Sequence, residues 1–134
     1  NGPFALKGLM SVDDAKKAVD IGASAIMLSN HGGRQLDGSR SPFDQLPAIV
    51  DAVGGKIEII VDGGIRRGTH VLKALALGAT ACSFGKGFLF ALGAGGQKGV
   101  EMVLQRMKDE IRRDMILMGC KSMKELNPSK IAYR

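Results

Sequence analysis

The sequence predicts an α/β fold of four parallel strand–helix units followed by C-terminal helices. Four short apolar runs, Phe4 to Leu6, Ala25 to Leu28, Ile57 to Val61 and Ala81 to Phe84, are each bounded by glycine or polar loops, as buried parallel strands are. Helical patterns fill the spaces between them. Lys17-Ala18-Val19-Asp20-Ile21-Gly22-Ala23-Ser24-Ala25 repeats without gaps as Lys73-Ala74-Leu75-Ala76-Leu77-Gly78-Ala79-Thr80-Ala81, at an offset of 56 residues. One further strand-like run lies between the copies, so each unit takes about 28 residues, the size an eight-unit barrel of about 250 residues requires. Four units make half of such a barrel or a small doubly wound sheet.

The first helix is entered through Ser11 as a cap, with Asp13 and Asp14 in its opening turn. Gly22 and Gly78 end the helices of the two repeat copies in the left-handed conformation, and the small residues after them bring each helix close to the next strand. A second helix is predicted from Pro42 to Val53, a third from Thr69 to Leu77 and a short one from Gly87 to Leu92. From Gly99 to Met118 the residues Val100, Val103, Leu104, Met107, Ile111, Met115 and Met118 recur at helical spacing, an amphipathic helix covering the outside of the sheet. Its methionines read as core filler. Ser122 to Leu126 adds a last helical turn.

With 134 residues, 45% of them hydrophobic, the chain holds enough apolar material for one folded domain. The net charge is +6, but the basic residues are scattered through predicted helices beside one tyrosine and no tryptophan, which argues against nucleic acid as a partner. Cys82 and Cys120 lack metal-ligand spacing and read as free thiols in a reducing, cytoplasmic compartment, with Cys82 buried. No apolar run reaches the roughly 18 residues of a membrane span, and the opening Asn1-Gly2-Pro3-Phe4 reads as the inside of a larger protein.

The chemistry concentrates on three loops that follow strands. Ser29-Asn30-His31-Gly32-Gly33-Arg34 sets an imidazole three residues from a guanidinium. Such a pair suits a 2-hydroxy acid: the guanidinium holds a carboxylate through two parallel hydrogen bonds, and the imidazole takes a proton from the hydroxyl-bearing carbon or its oxygen. Asp62-Gly63-Gly64-Ile65-Arg66-Arg67-Gly68 and Gly85-Lys86-Gly87 each place glycine amides beside a cation, which favours a phosphate held by Arg66 and Lys86. Asp62, at a strand end, is placed to accept from a ribityl hydroxyl. Lys7 ends the first strand and either stabilises negative charge at the common mouth or forms an ion pair inside the barrel. Arg67 reads as a surface or helix-end ion pair, and His70 as a solvent-facing helix residue without a partner. This loop chemistry favours the half barrel over the doubly wound sheet.

The motifs Ser-Asn-His-Gly-Gly-Arg-Gln-Leu-Asp, Asp-Gly-Gly-Ile-Arg-Arg-Gly and Lys-Ala-Leu-Ala-Leu-Gly-Ala resemble the C-terminal half of the FMN-dependent 2-hydroxy acid dehydrogenases and oxidases. The resemblance runs from Leu6-Lys7-Gly8 to Cys120-Lys121-Ser122 and is nearest to the cytochrome- or quinone-linked flavin L-lactate dehydrogenases. It implies the C-terminal half of a TIM (β/α)8 barrel as a single domain over residues 1–134, with the N-terminal half absent. FMN is the implied cofactor, with no metal. His31 becomes the active-site base and Arg34 the carboxylate clamp, with Lys7 by the pyrimidine edge of the flavin and Ser29 near the ring. Asp62, Gly63, Gly64, Ile65, Arg66, Gly85 and Lys86 surround the ribityl phosphate. Lys86 departs from the usual arginine and gives up the planar fork.

The implied reaction oxidises an L-2-hydroxy acid, L-lactate foremost, to the 2-oxo acid with reduction of FMN. A cytochrome, quinone or oxygen then accepts the electrons, and the full-length enzyme forms a homo-oligomer at the cytoplasmic side, including the face of the inner membrane. The substrate-touching tyrosines, the aspartate that pairs with the histidine and a second arginine come, in the family, from the other half barrel, so this fragment alone is expected to be inactive. Three alternatives stand beside this reading: an oxygen-using hydroxy acid oxidase, a phosphate-binding isomerase or nicotinamide-linked dehydrogenase, and a half barrel that folds or dimerises without turnover.

Overall fold

The computed structural model describes residues 2–132. Strands β1 (Ala5–Leu9), β2 (Ala25–Ser29), β3 (Glu58–Asp62) and β4 (Ala81–Ser83) form one parallel sheet in the order β1-β2-β3-β4. Each strand is added on the same side of the last, and right-handed crossovers repeated in one direction put all connecting helices on one face. A doubly wound sheet instead reverses direction at its middle and carries helices on both faces. The strand order is therefore that of a barrel wall.

The two faces of the sheet differ as this winding requires. Ile26, Leu28, Ile59 and Val61 alternate along β2 and β3 and are almost fully buried against α1 (Val12–Asp20) and α2 (Pro42–Val53), where Ala15, Ala18, Leu46, Ile49 and Val53 meet them. Burying each of the larger side chains contributes about 1.5–3 kcal/mol. On the opposite face Lys7, Met27, Ile60 and Ala81 lie side by side in register, and Ser29, Asp62 and Ser83 form the next row. This is the barrel-interior face, and its polar row falls at the C-terminal strand ends.

Local rules account for the helices. Ser11 and Ser41 cap α1 and α2, accepting from the backbone N–H of Asp14 at 3.1 Å and of Asp44 at 3.2 Å, and Pro42 opens α2 where its missing N–H costs nothing. Gly22 and Gly78 follow α1 and α3 (Gly68–Ala76) with φ of +78° and +101°, as the internal repeat predicts. At Gly78 a side chain is also sterically barred, since a Cβ would stand 2.7 Å from Val50.

Several boundaries move. β1 begins at Ala5 and continues through Lys7 to Leu9, because pairing with β2 carries the ladder past an irregularity at Gly8; Lys7 is thus within the strand and not at its end. The two predicted C-terminal helices join as α4 (Lys86–Leu117), broken at Gly95 and Gly96, whose backbone is non-helical. α4 packs along α3 and buries Met107, whereas Leu104 of the predicted apolar stripe is 45% exposed. Cys82 is half-buried rather than buried, and Cys120 is the buried thiol. Single turns at Met123–Glu125 and Pro128–Lys130 follow. Among the described residues no helix is long and apolar enough to cross a membrane.

Candidate functional site

Beyond the C-terminal strand ends, the three loops enclose an open groove of about 780 Å³. Lys7, His31, Arg34, Asp62, Gly63, Gly64, Ile65, Arg66, Gly85 and Lys86 all line it. Of the site residues that the resemblance implies, Ser29 alone lies behind this wall, 1% exposed, where it links Lys7, His31 and Asp62.

The polar row of the sheet forms the floor. Ser29 Oγ accepts from Lys7 Nζ at 3.0 Å and from the His31 backbone N–H at 3.1 Å, and donates to Asp62 Oδ2 at 2.7 Å. Lys7 Nζ also donates to Asp62 Oδ2 in an ion pair. Burial of the Asp62 carboxyl opposes its ionisation, but bonds from Lys7, Ser29 and Ser83 outweigh it and hold the group below the usual carboxylate range. Asp62 Oδ2 thus serves the protein's own cation and hydroxyl. Lys7 takes the ion-pair role weighed as its alternative while its half-exposed side chain still faces the groove.

His31 stands on a tight turn, His31–Gly33, built by short-range bonds. The Asn30 side chain accepts from the Gly32 N–H at 3.1 Å and donates to the Arg40 carbonyl at 3.3 Å. His31 itself has φ +56°, uncommon for a residue with a side chain and a local store of backbone strain. Two contacts hold the turn from outside. Lys86 Nζ donates to the Gly32 carbonyl at 2.8 Å, so this cation bridges two of the loops. On β1, Gly8 leaves the space the imidazole occupies: a Cβ there would fall 2.7 Å from His31 Cε1. Arg34 follows the turn, exposed, and makes no ion pair among the described residues.

The loop after β3 carries Gly63 and Gly64 at φ +122° and +76° and is anchored by Ile65, 3% exposed. Among the described residues the amides of Gly64 and Ile65 have no protein acceptor. His70 is not the unpartnered, solvent-facing residue expected: its Nδ1 lies 3.2 Å from the Arg66 amide and 3.1 Å from the Gly64 carbonyl. The first turn of α3 folds the ring back beneath the loop, a reversal that helical periodicity does not report.

Glu110 of α4 fastens the same region. It is 6% exposed, and its Oε2 accepts from the Gly68 N–H at 2.8 Å, capping α3, whose own cap position, Arg67, supplies no side-chain bond. Its Oε1 faces Arg106 Nε at 3.3 Å and Arg67 Nε at 3.6 Å. Arg67 therefore makes the helix-end ion pair expected of it. The Gly68 amide, burial notwithstanding and with help from the two arginines, keeps the Glu110 carboxyl below its ordinary range. Neither Gly8 nor Glu110 was singled out in the sequence. A carboxylate between Met107 and Ile111 on an otherwise apolar stripe was the signal for the second.

The glycine turn with its unmet Gly64 and Ile65 amides beside Arg66, next to the Gly85 start of α4 and Lys86, suits a phosphate, and the adjoining His31 and Arg34 suit a carboxylate bearing a proton to be removed. A family model described as FMN-dependent dehydrogenase matches residues 1–133. Over 95%, 97% and 100% of its length the chain is 50% identical to an L-lactate oxidase of Nostoc, 51% to a pre-mycofactocin synthase of Mycobacterium tuberculosis and 48% to an L-lactate dehydrogenase of Vibrio cholerae. It spans about a third of the length of these relatives. Among solved structures, mandelate oxidase with benzoyl-formic acid superposes with a TM-score of 0.87 at 51% identity, covering 91% of this chain and 36% of that one. A flavocytochrome b2 variant with sulfite bound gives 0.91 at 45% identity, covering 95% and 34%.

Proposed function

From the premise that the chain belongs to the FMN-dependent dehydrogenase family, we propose that it carries the base and the carboxylate clamp for oxidation of an L-2-hydroxy acid, L-lactate foremost, to the 2-oxo acid. The observation that carries this reading is the common groove, where His31 and Arg34 share a wall with the glycine turns of Arg66 and Lys86. Bound FMN would supply the acceptor for two electrons. Gly63, Gly64, Ile65, Arg66, Gly85 and Lys86 would hold its phosphate, and the positive φ at Gly63 and Gly64 opens the backbone for that approach.

Arg34 binds the substrate carboxylate through its planar fork and turns the hydroxyl-bearing carbon toward the flavin. His31, fixed by its turn and by the space at Gly8, takes one of the two protons the alcohol loses, and bound FMN would be the acceptor for the two electrons and the other proton. Lys7, held beside Asp62 and Ser29, would offer its positive charge to a flavin ring bound in the groove. The chain spans about a third of its relatives, so turnover is proposed for this half barrel joined to its complement, and the half alone is proposed to be inactive.

Mixing L-lactate, without oxygen, with the flavin-loaded half barrel joined to its complement tests the reading. Bleaching of the flavin absorbance that is lost in His31→Ala supports it; bleaching that survives His31→Ala unchanged overturns the role of His31. The acceptor is a separate question, because the oxidase and dehydrogenase relatives differ little in similarity, at 50% and 48% identity. We favour a cytochrome or quinone, and rapid reoxidation of the bleached protein by oxygen with release of hydrogen peroxide would instead establish the oxidase.

A further inference from the structure

We propose that His70 is a positioning residue for the phosphate cradle, holding the Gly64–Arg66 loop in the shape that leaves the Gly64 and Ile65 amides free for an anion. The inference rests on the phosphate reading of the groove given above.

The loop has little else to hold it. Around Gly64 an added Cβ would meet nothing within 4 Å, so no packing fixes the backbone on that side. Ile65 pins the middle of the loop through its buried side chain, yet a single apolar anchor leaves the peptide planes on either side free to rotate about φ and ψ. His70 supplies the missing restraint from beneath. Its Nδ1 lies between a donor, the Arg66 N–H at 3.2 Å, and an acceptor, the Gly64 carbonyl at 3.1 Å. A ring nitrogen serves one of these at a time: bare, it accepts from Arg66; protonated, it donates to Gly64. Either bond ties the same three-residue loop to the first turn of α3.

The ring's own position is set in turn. The His70 backbone N–H donates to the Arg67 carbonyl at 3.1 Å as part of that first turn, and α3 begins at Gly68, whose amide is held by Glu110. A chain of short bonds thus runs from α4 through α3 to the loop. Removing the ring nitrogen leaves the fold but lets the loop amides turn away from the groove, which loosens a phosphate and leaves the rest of a flavin untouched.

That separation defines the experiment. FMN and riboflavin differ only in the phosphate, and the affinity of the flavin-binding protein for each is measured by quenching of flavin fluorescence. Parent protein is expected to prefer FMN. His70→Ala is expected to weaken FMN about fivefold, the value of one neutral hydrogen bond, with riboflavin changed less than twofold. His70→Asn returns a polar atom to the position of Nδ1 and is expected to restore most of the FMN affinity. If His70→Ala does not fold, His70→Phe keeps the ring, lacks the nitrogen and is expected to show the same selective loss. FMN affinity unchanged in His70→Ala or His70→Phe, or FMN and riboflavin weakened equally, overturns the role of His70 alone. A parent without preference for FMN over riboflavin overturns the phosphate site itself.

Discussion

Replacing Glu110 by alanine should destabilise the chain by about 2–3 kcal/mol, and the parts of that figure come from different bonds. The largest is the cap on α3. The Gly68 N–H has Glu110 Oε2 as its acceptor at 2.8 Å in a buried setting, and losing such a cap costs about 1–2 kcal/mol. The ion pairs add less, because Arg67 and Arg106 are 57% and 72% exposed, and exposed pairs are each worth about 0–1 kcal/mol. Glu110→Gln keeps an oxygen for the Gly68 amide and loses only the charge, so it should cost about 1 kcal/mol. Urea unfolding followed by circular dichroism at neutral pH separates the two variants. The pH dependence checks the sign. The folded carboxyl sits below its ordinary 4.5, so the unfolded chain binds the proton more tightly. The stabilisation is therefore complete above pH 4.5 and is lost as pH falls through the lower, folded value. Glu110→Gln should lose less stability than the parent across that acid range, the remaining loss including Asp62, which is lowered in the same direction. Alanine and glutamine variants of equal stability, or both within 0.5 kcal/mol of the parent on the scale of ordinary surface changes, would refute the cap.

Leu46, fully buried under the sheet, should cost about 2–5 kcal/mol on truncation to alanine, read from the same urea curves. Gly8→Ala meets both an unfavourable backbone, with φ +96°, and the His31 ring at 2.7 Å; it should cost at least about 1 kcal/mol and displace the His31 ring resonances in an NMR spectrum, whereas unchanged resonances would show that the glycine does not shape the turn. Burial pushes the Cys82 thiol from 9.0 up to about 11, so at pH 8 its reactive thiolate falls from roughly one part in ten to one in a thousand. Alkylation of Cys82 in the folded chain, followed by peptide mass, should run about 100-fold slower than after unfolding and should accelerate as pH rises toward 11.

What the amino-acid sequence determined unaided is whatever depends on a few neighbouring residues. Ser11 and Ser41 cap because a hydroxyl and the amide three residues on are brought together by one turn of backbone, and α2 runs from Pro42 to Val53 as its periodicity requires. The repeat that ends in Gly22 and Gly78 and the glycine-rich loops after β2, β3 and β4 were legible for the same reason. So was the membership of the groove, because parallel strands deliver all their following loops to one end. Tertiary structure decided what depends on register and crossing. The order β1-β2-β3-β4 made the sheet a barrel wall, and only that order set Lys7, Ser29 and Asp62 together across separations of 22, 33 and 55 residues. Glu110 reached Gly68, 42 residues away, because α4 crosses α3 there, and His70 faced a loop because that loop doubles back over its helix. A periodic pattern reports which side of an element is apolar. Which group a polar side chain meets is fixed by the path of the chain in space, and that path is the sum of every packing choice in the fold.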